Sequence, residues 1–272
     1  MALGKSQIDR LGERLRKHEI SEADLNMLRE ILTEHDGELE SVVATLRTLR
    51  GRNGEPVAPT PRVKTTTTLI EKLMRDRTRL SSVRDIAGAR IVVGETLDEQ
   101  DEIVAAIMGQ FPGSELIDRR ADPRFGYRAV HVVVRSANCW AEIQIRTALQ
   151  HQWAEVFERL ADRVGRQIRY GSDPNAGPRF AAAQEAVQQM QDLSAQIAEI
   201  EDIRFGVRGL KRGNFDPRHY QQGVLSEDEM LEASRAYDDA MEVLQSMEER
   251  VVRLGEALAS RLGAIRDIMV GS

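Results

Sequence analysis

Four polar clusters between positions 62 and 146 combine residue types and spacings suited to phosphate chemistry. Arg62 and Lys64 bracket one residue, and Lys72 and Arg75 lie three apart, on one face if that segment is helical. Cations so grouped can clamp a polyphosphate, although a basic helix face is often only solvated. Arg77, Arg79 and Arg84 extend the basic run. The second cluster is Asp85 with Arg90 in DIAGAR. A carboxylate at the start of a strand can hold Mg²⁺, which favours one or two carboxylates plus phosphate oxygens; its blander role is a strand cap.

The third cluster is GYRAVH, residues 126–131. In an extended strand Tyr127, Ala129 and His131 share one face, which places a stacking surface beside a hydrogen-bonding ring. A half-buried Tyr on a sheet is the plainer reading. The fourth is EIQIRT, residues 142–147, where Glu142, Gln144 and Arg146 alternate with Ile143 and Ile145. Three polar residues on one strand face do not suit a core, so that face is expected to line a wet cavity.

The elements that must position these residues follow from the apolar pattern. Ile8, Leu11 and Leu15 recur at helical spacing, Ser21 with Asp24 reads as a capping box, and Leu25 to Leu49 continues an apolar stripe to about Arg50. The Gly- and Pro-rich run 51–61 reads as a linker. Helices are predicted over Thr65–Asp76, Asp98–Phe111 and Thr147–Gly165, and strands over Ile86–Val93, Tyr127–Arg135 and Trp140–Thr147. The last two strands are joined by a short loop, Ser136 to Asn138, that suits a hairpin and would bring Glu142 beside Tyr127 and Asp85. The chain then reads as helix over 180–203 and 226–270, separated by a basic, Gly-containing stretch, 204–220. The fold class expected is α+β, a mixed sheet flanked by helices with helical extensions at both ends. Three parts are predicted: N-terminal helices and linker over 1–60, a catalytic domain over 61–172, and a helical region over 173–272.

Composition bounds the function. The 272 residues are 41% hydrophobic and 30% charged, with a net charge of −6. That total alone would argue against phosphate-rich ligands. Its distribution reverses the inference, because residues 1–61 carry −2, residues 62–170 carry +3 and residues 171–272 carry −7. The basic island coincides with the four clusters. The lone Cys139 makes no internal disulfide. No signal segment or apolar run of membrane-spanning length is legible, so a cytoplasmic protein without a membrane partner is expected. No GxxxxGK[ST] loop occurs. His18, His35, His131, His151 and His219 give no zinc spacing, and His151 beside Trp153 reads as a packing residue.

In order, RVKTTTTLIEKLMR (62–75), DIAGARIVV (85–93), GYRAVHVVV (126–134) and EIQIRTALQHQWAE (142–155) resemble the RelA/SpoT synthetase domain, over about residues 60–165. The likeness is nearer to the small, single-domain alarmone synthetases. It implies a pyrophosphokinase that transfers the β,γ-pyrophosphate of ATP to the 3′-hydroxyl of GDP or GTP, with Mg²⁺. On that resemblance Arg62 and Arg90 sandwich adenine, and Lys64, Lys72 and Arg75 hold the ATP phosphates. Asp85 and Glu142 bind Mg²⁺, with Glu142 also placed to take the acceptor's hydroxyl proton. Tyr127 stacks on the acceptor base, His131 lies near its ribose or phosphates, and Gln144 and Arg146 support Glu142.

Two departures bear on the acceptor. The chain reads Tyr127-Arg128-Ala129 where small synthetases usually have Tyr-Arg-Ser, and its LQHQWAE helix start lacks their usual Met-Asp. Both features resemble toxic small synthetases that make adenine alarmones or pyrophosphorylate the 3′-CCA end of tRNA. Arg119, Arg120, Arg124 and the 204–218 stretch could then meet an RNA backbone. A catalytically silent nucleotide-binding module is the remaining alternative, against which the intact Asp85 and Glu142 argue. His35-Asp36 stands alone, so the family's hydrolase activity is not expected. The acidic C-terminal helices could gate the basic island, form a homo-oligomer or bind an antitoxin protein.

Overall fold

A computed structural model describes residues 4–52, 54–137, 139–177, 180–212 and 227–270. The chain divides into two units. The first takes in residues 1–94, 99–122 and 128–148, and the second takes in 95–98, 123–127 and 149–272.

The first unit opens with helices α1 (Lys5–Lys17) and α2 (Glu22–Thr48). The Ser21 hydroxyl accepts from the Asp24 backbone N–H at 3.2 Å, and the Asp24 carboxylate accepts from the Ser21 N–H at 3.1 Å. This is the capping box expected from the sequence, and it satisfies amides that a helix start leaves unpaired. Strand β1 (Thr60–Val63), helix α3 (Thr66–Asp76), a short 3-10 turn (Leu80–Ser82) and strand β2 (Ala87–Val92) follow. Helix α4 (Leu97–Gln110), the short strand β3 (Glu115–Asp118), β4 (Val130–Ser136) and β5 (Cys139–Arg146) complete the sheet region.

The sheet order is β1-β2-β5-β4-β3, with β2 and β5 parallel and the other pairs antiparallel. This is the mixed sheet of an α+β fold. One face is apolar. Ala87, Ala89 and Ile91 of β2, Val130, Val132 and Val134 of β4, and Ala141, Ile143 and Ile145 of β5 pack with Leu39, Val42, Val43 and Leu46 of α2 and Ile103, Val104 and Ile107 of α4. Burying Ile143 and Ile145 stabilises the unit by about 1.5–3 kcal/mol each. Because side chains alternate along a strand, the register that buries them turns Glu142 and Gln144 to the other face. A second apolar cluster ties α1 and the start of α2 to α3 and the 3-10 turn through Leu11, Leu15, Leu28, Leu69, Leu73 and Leu80.

Three differences from the sequence reading have physical causes. Strand β1 begins inside the run read as linker: Thr60 and Pro61 pair with Arg90 and Ala89, an edge position where Pro is tolerated. Strand β3 has four residues and a weak alternating pattern, and it forms by pairing with β4. The strand expected from Tyr127 begins at Val130. Phe125 and Gly126 adopt positive φ, 53° and 87°, and the Tyr127 N–H closes the turn on the Arg124 carbonyl at 2.9 Å. Tyr127 therefore precedes the strand and does not share a strand face with His131. In the hairpin, Ser136 pairs with Cys139; Asn138 of that loop lies outside the described residues.

The second unit contains α5 (Ala148–Val164), a 3-10 turn (Arg166–Tyr170), α6 (Phe180–Arg212) and α7 (Glu227–Val270). Trp153, Phe157 and Leu160 of α5 pack with Met190, Leu193, Ile197 and Ile200 of α6, and Tyr127 lies against this cluster. The Trp153 indole N–H donates to the Met190 carbonyl at 2.5 Å, and its ring stacks on Phe157 with centroids 4.8 Å apart. Helices α6 and α7 pack together and are joined by an Arg250–Glu199 ion pair. Of the basic stretch 204–220, residues 204–212 continue α6, and residues 213–220 lie outside the described residues. No helix among the described residues is long and apolar enough to cross a membrane.

Candidate active site

The polar face of the sheet carries the site. A cavity of about 210 Å³ is lined by Thr60, Pro61 and Arg62 of β1 and Lys64 just after it, Asp85, Gly88 and Arg90 of β2 and its approach, and Glu142 and Gln144 of β5. Six residues singled out from the sequence thus meet at one place: Arg62, Lys64, Asp85, Arg90, Glu142 and Gln144.

Local structure explains the meeting. Lys64 leaves β1 with its backbone N–H on the Ile86 carbonyl at 2.8 Å, which fixes it beside the segment holding Asp85. The Thr65 hydroxyl caps α3 by accepting from the Thr68 N–H at 3.3 Å. Two turns after that cap, α3 returns Lys72 to the same carboxylate. Asp85 Oδ2 lies 3.1 Å from Lys64 Nζ and 3.0 Å from Lys72 Nζ. Asp85 Oδ1 is buried with no hydrogen-bond partner among the described residues. Lys72 also reaches Asp76 at 3.6 Å. Arg75 turns to Asp76 at 2.7 Å and does not line the cavity.

On β5, Glu142 is held from two sides. His131 Nδ1 lies 2.9 Å from Glu142 Oε1, and the Gln144 amide donates to Oε2 at 3.0 Å. The Gln144 carbonyl oxygen in turn accepts from Arg146 Nη2 at 3.0 Å. A guanidinium can only donate, so it orients the amide with its NH₂ toward Glu142. Burial pushes the Glu142 carboxyl up, but the His131 hydrogen bond and charge, the Gln144 amide and the Lys64 charge outweigh it and hold it at about 2. Glu142 is therefore an ionised acceptor at any physiological pH. A base that weak orients a hydroxyl more readily than it removes its proton.

Gly88 faces Glu142 across the parallel β2–β5 pair, and a Cβ there would come within 2.2 Å of the Glu142 carbonyl oxygen. Only glycine lets β2 approach β5 so closely at this point. A glycine inside a strand ordinarily weakens it; the close approach of Gly88 to Glu142 appears only when the two strands pair.

The donor set fits a hard divalent cation. Asp85 has an oxygen with open lone pairs, Glu142 is ionised, and both border one cavity with four cations around it. No group of three or more His, Cys, Asp or Glu gathers among the described residues. Of the remaining expected residues, His131 and Lys72 contact Glu142 and Asp85, Arg146 is buried behind Gln144 at 2% exposure and does not line the cavity, and Tyr127 belongs to the second unit.

Comparison with known proteins agrees with this fold. The family description "Region found in RelA / SpoT proteins" matches residues 61–161. Two uncharacterized mycobacterial proteins, Rv1366 of Mycobacterium tuberculosis and Mb1401 of Mycobacterium bovis, are each 38% identical over 197 residues, spanning 70% of this chain and 72% of theirs. The crystal structure of small alarmone synthetase 1 from Bacillus subtilis superposes with a TM-score of 0.53 at 22% identity, covering 70% of this chain and 100% of that one. The fold is therefore shared with that synthetase, and the chain belongs to the RelA/SpoT family.

Proposed function

We propose that this protein is an Mg²⁺-dependent pyrophosphokinase that moves the β,γ-pyrophosphate of ATP to the 3′-hydroxyl of a guanine nucleotide. The observation that supports it most is the pairing, in one cavity, of an ionised Glu142 with an Asp85 held between two lysines. Arg62 and Arg90 flank the same cavity and suit stacking on adenine through their flat guanidiniums. Lys64 and Lys72 are placed to take phosphate oxygens, with Arg75 at the outer end of the same helix. Asp85 and Glu142 are the residues that would hold Mg²⁺, whose chemistry is to neutralise phosphate charge.

The 3′-oxygen bonds to the β-phosphorus as the bridge between the α- and β-phosphates breaks on the β side and AMP leaves. Glu142 accepts the hydrogen bond of the attacking hydroxyl and passes its proton on to solvent as that bond forms, and His131 and Gln144 keep the carboxylate in place. Such transfer needs little covalent help from the protein, so a weak base with good positioning suffices. Tyr127 would stack on the acceptor base, and His131 would also lie near its ribose.

ATP labelled at the γ-position, with Mg²⁺ and GDP, GTP, an adenine nucleotide or deacylated tRNA, tests the proposal. Label on GDP or GTP is the expected result. Label found on tRNA alone moves the protein to RNA modification, and binding of ATP without transfer to any acceptor makes it a silent module.

A further inference from the structure

One cluster on the polar sheet face has no part in the roles assigned above. Trp140 precedes Glu142 by two residues on β5, so both project from the same face, about 7 Å apart along the strand. Its cross-strand partner on β4 is Arg135. The guanidinium carbon of Arg135 lies 5.7 Å from the indole centroid, and that of Arg84 lies 5.0 Å from it. Arg84 immediately precedes Asp85 and is also ion-paired with Glu115 of β3.

The electrostatics are unbalanced. Two cations gather on one indole, and among the described residues Glu115 is the one carboxylate paired with either. The Arg84 side chain remains 47% exposed, and Arg135 is exposed. A guanidinium lying over an aromatic ring is held by the ring's quadrupole and keeps its N–H donors for another ligand. Planar donors with surplus positive charge fit a phosphate.

Strand order indicates whose phosphate it is. The cavity draws on β1, β2 and β5, whereas Trp140, Arg135 and Glu115 come from β5, β4 and β3. Arg84, from the approach to β2, turns away from the cavity lining to Trp140 and Glu115. With ATP in the cavity, this cluster is left to the acceptor. We propose that Arg84 and Arg135, positioned by Trp140, form a phosphate subsite for the nucleotide acceptor. The assignment to the acceptor rests on the transferase reading; the phosphate site itself does not.

The chain has two tryptophans, Trp140 and the buried Trp153, and Trp140→Phe separates their contributions to ligand-dependent emission. The full-length protein is titrated with GDP, with guanosine, and with a short single-stranded RNA ending in a 3′-hydroxyl. GDP is expected to change the emission at concentrations where guanosine does not, and Trp140→Phe is expected to abolish the change. Arg135→Gln and Arg84→Gln should each weaken GDP binding about tenfold, the loss of one charge-assisted hydrogen bond. In turnover assays the same variants should raise the acceptor KM and leave the ATP KM unchanged. If RNA, and not GDP, shows the Arg135 dependence, the phosphate belongs to a nucleic-acid strand and the assignment to a nucleotide acceptor is overturned.

Wild-type affinity for both GDP and RNA in the two arginine variants overturns the proposal. Equal binding of guanosine and GDP, or no emission change with either phosphate-bearing ligand, overturns it as well. Because binding is read without turnover, a protein that transfers no pyrophosphate would refute the transferase reading and leave the subsite result intact.

Discussion

His131 Nδ1 meets Glu142 Oε1 at 2.9 Å along a diagonal of the β4–β5 ladder. The residue directly opposite Glu142 is Val133, and the one opposite His131 is Gln144. Glu142 thus draws its two partners from neighbouring positions on one sheet face, within the reach of diagonal pairs. Glu142→Gln keeps the shape of the side chain and removes its charge. Transfer of labelled pyrophosphate is expected to fall on the order of 10²–10³-fold, as for loss of one preorganised electrostatic group. The circular dichroism spectrum should be unchanged, and near wild-type turnover would refute the role given to Glu142.

Asp85 holds two lysines on one carboxylate oxygen, and its other oxygen has no hydrogen-bond partner among the described residues. Asp85→Asn should raise the Mg²⁺ concentration needed for half-maximal activity and lower the maximum. A MgCl₂ titration measures both. An unshifted titration would show that Asp85 serves only to hold Lys64 and Lys72.

Gly88→Ala sets a methyl group against the Glu142 backbone, where a Cβ has 2.2 Å of room. Overpacking of this kind destabilises by about 1–3 kcal/mol. Urea denaturation should show that loss, and activity should fall further than stability because β5 carries Glu142. Wild-type stability would mean that β2 and β5 separate there without strain.

Asp24 belongs to the N-terminal helices and tests the fold independently of the site. Hydrogen bonds from Arg14 and from the Ser21 N–H and hydroxyl hold its carboxyl well below the ordinary value of 3.8, against burial. A group lowered on folding contributes stability above its unfolded value, and that stability is lost as pH falls through the folded value. The Tm of Asp24→Asn should therefore lie below wild type at pH 7, and the gap should close as pH drops below about 3.8. A gap independent of pH would refute the ion pair as its source.

Tyr127 leaves the turn before β4 with positive φ at both Phe125 and Gly126. Tyr127→Ala is expected to leave ATP affinity unchanged and to raise the acceptor KM, since base stacking is worth about 1–3 kcal/mol per base. Isothermal titration with ATP and steady-state kinetics with the acceptor separate the two. Equal loss of both would remove its stacking role.

The amino-acid sequence by itself determined the periodic elements and the faces they bury. Alternation through AEIQIR was enough to place Ile143 and Ile145 in a core and Glu142 and Gln144 opposite them. The Ser21–Asp24 box and the helices around Leu69 and Ile107 were legible for the same reason: local spacing sets which side chains share a face. Strand β1 was hidden by Pro61 and its loop-like neighbours, and β3 was too short to announce itself. Both exist because a partner strand satisfies their backbone groups, which no local pattern records.

Only the tertiary structure decided how the site closes. The parallel pairing of β2 with β5 brings Gly88 against Glu142, and α3 swings Lys72 to an Asp85 thirteen residues away. It also moved Tyr127 out of the strand, sent Arg75 to Asp76, and set Arg84 and Arg135 over Trp140. Composition reported a basic island of +3. Which of its cations face one carboxylate depended on pairing between distant segments, because charge and hydrogen bonding act across space and a linear pattern carries only neighbours along the chain.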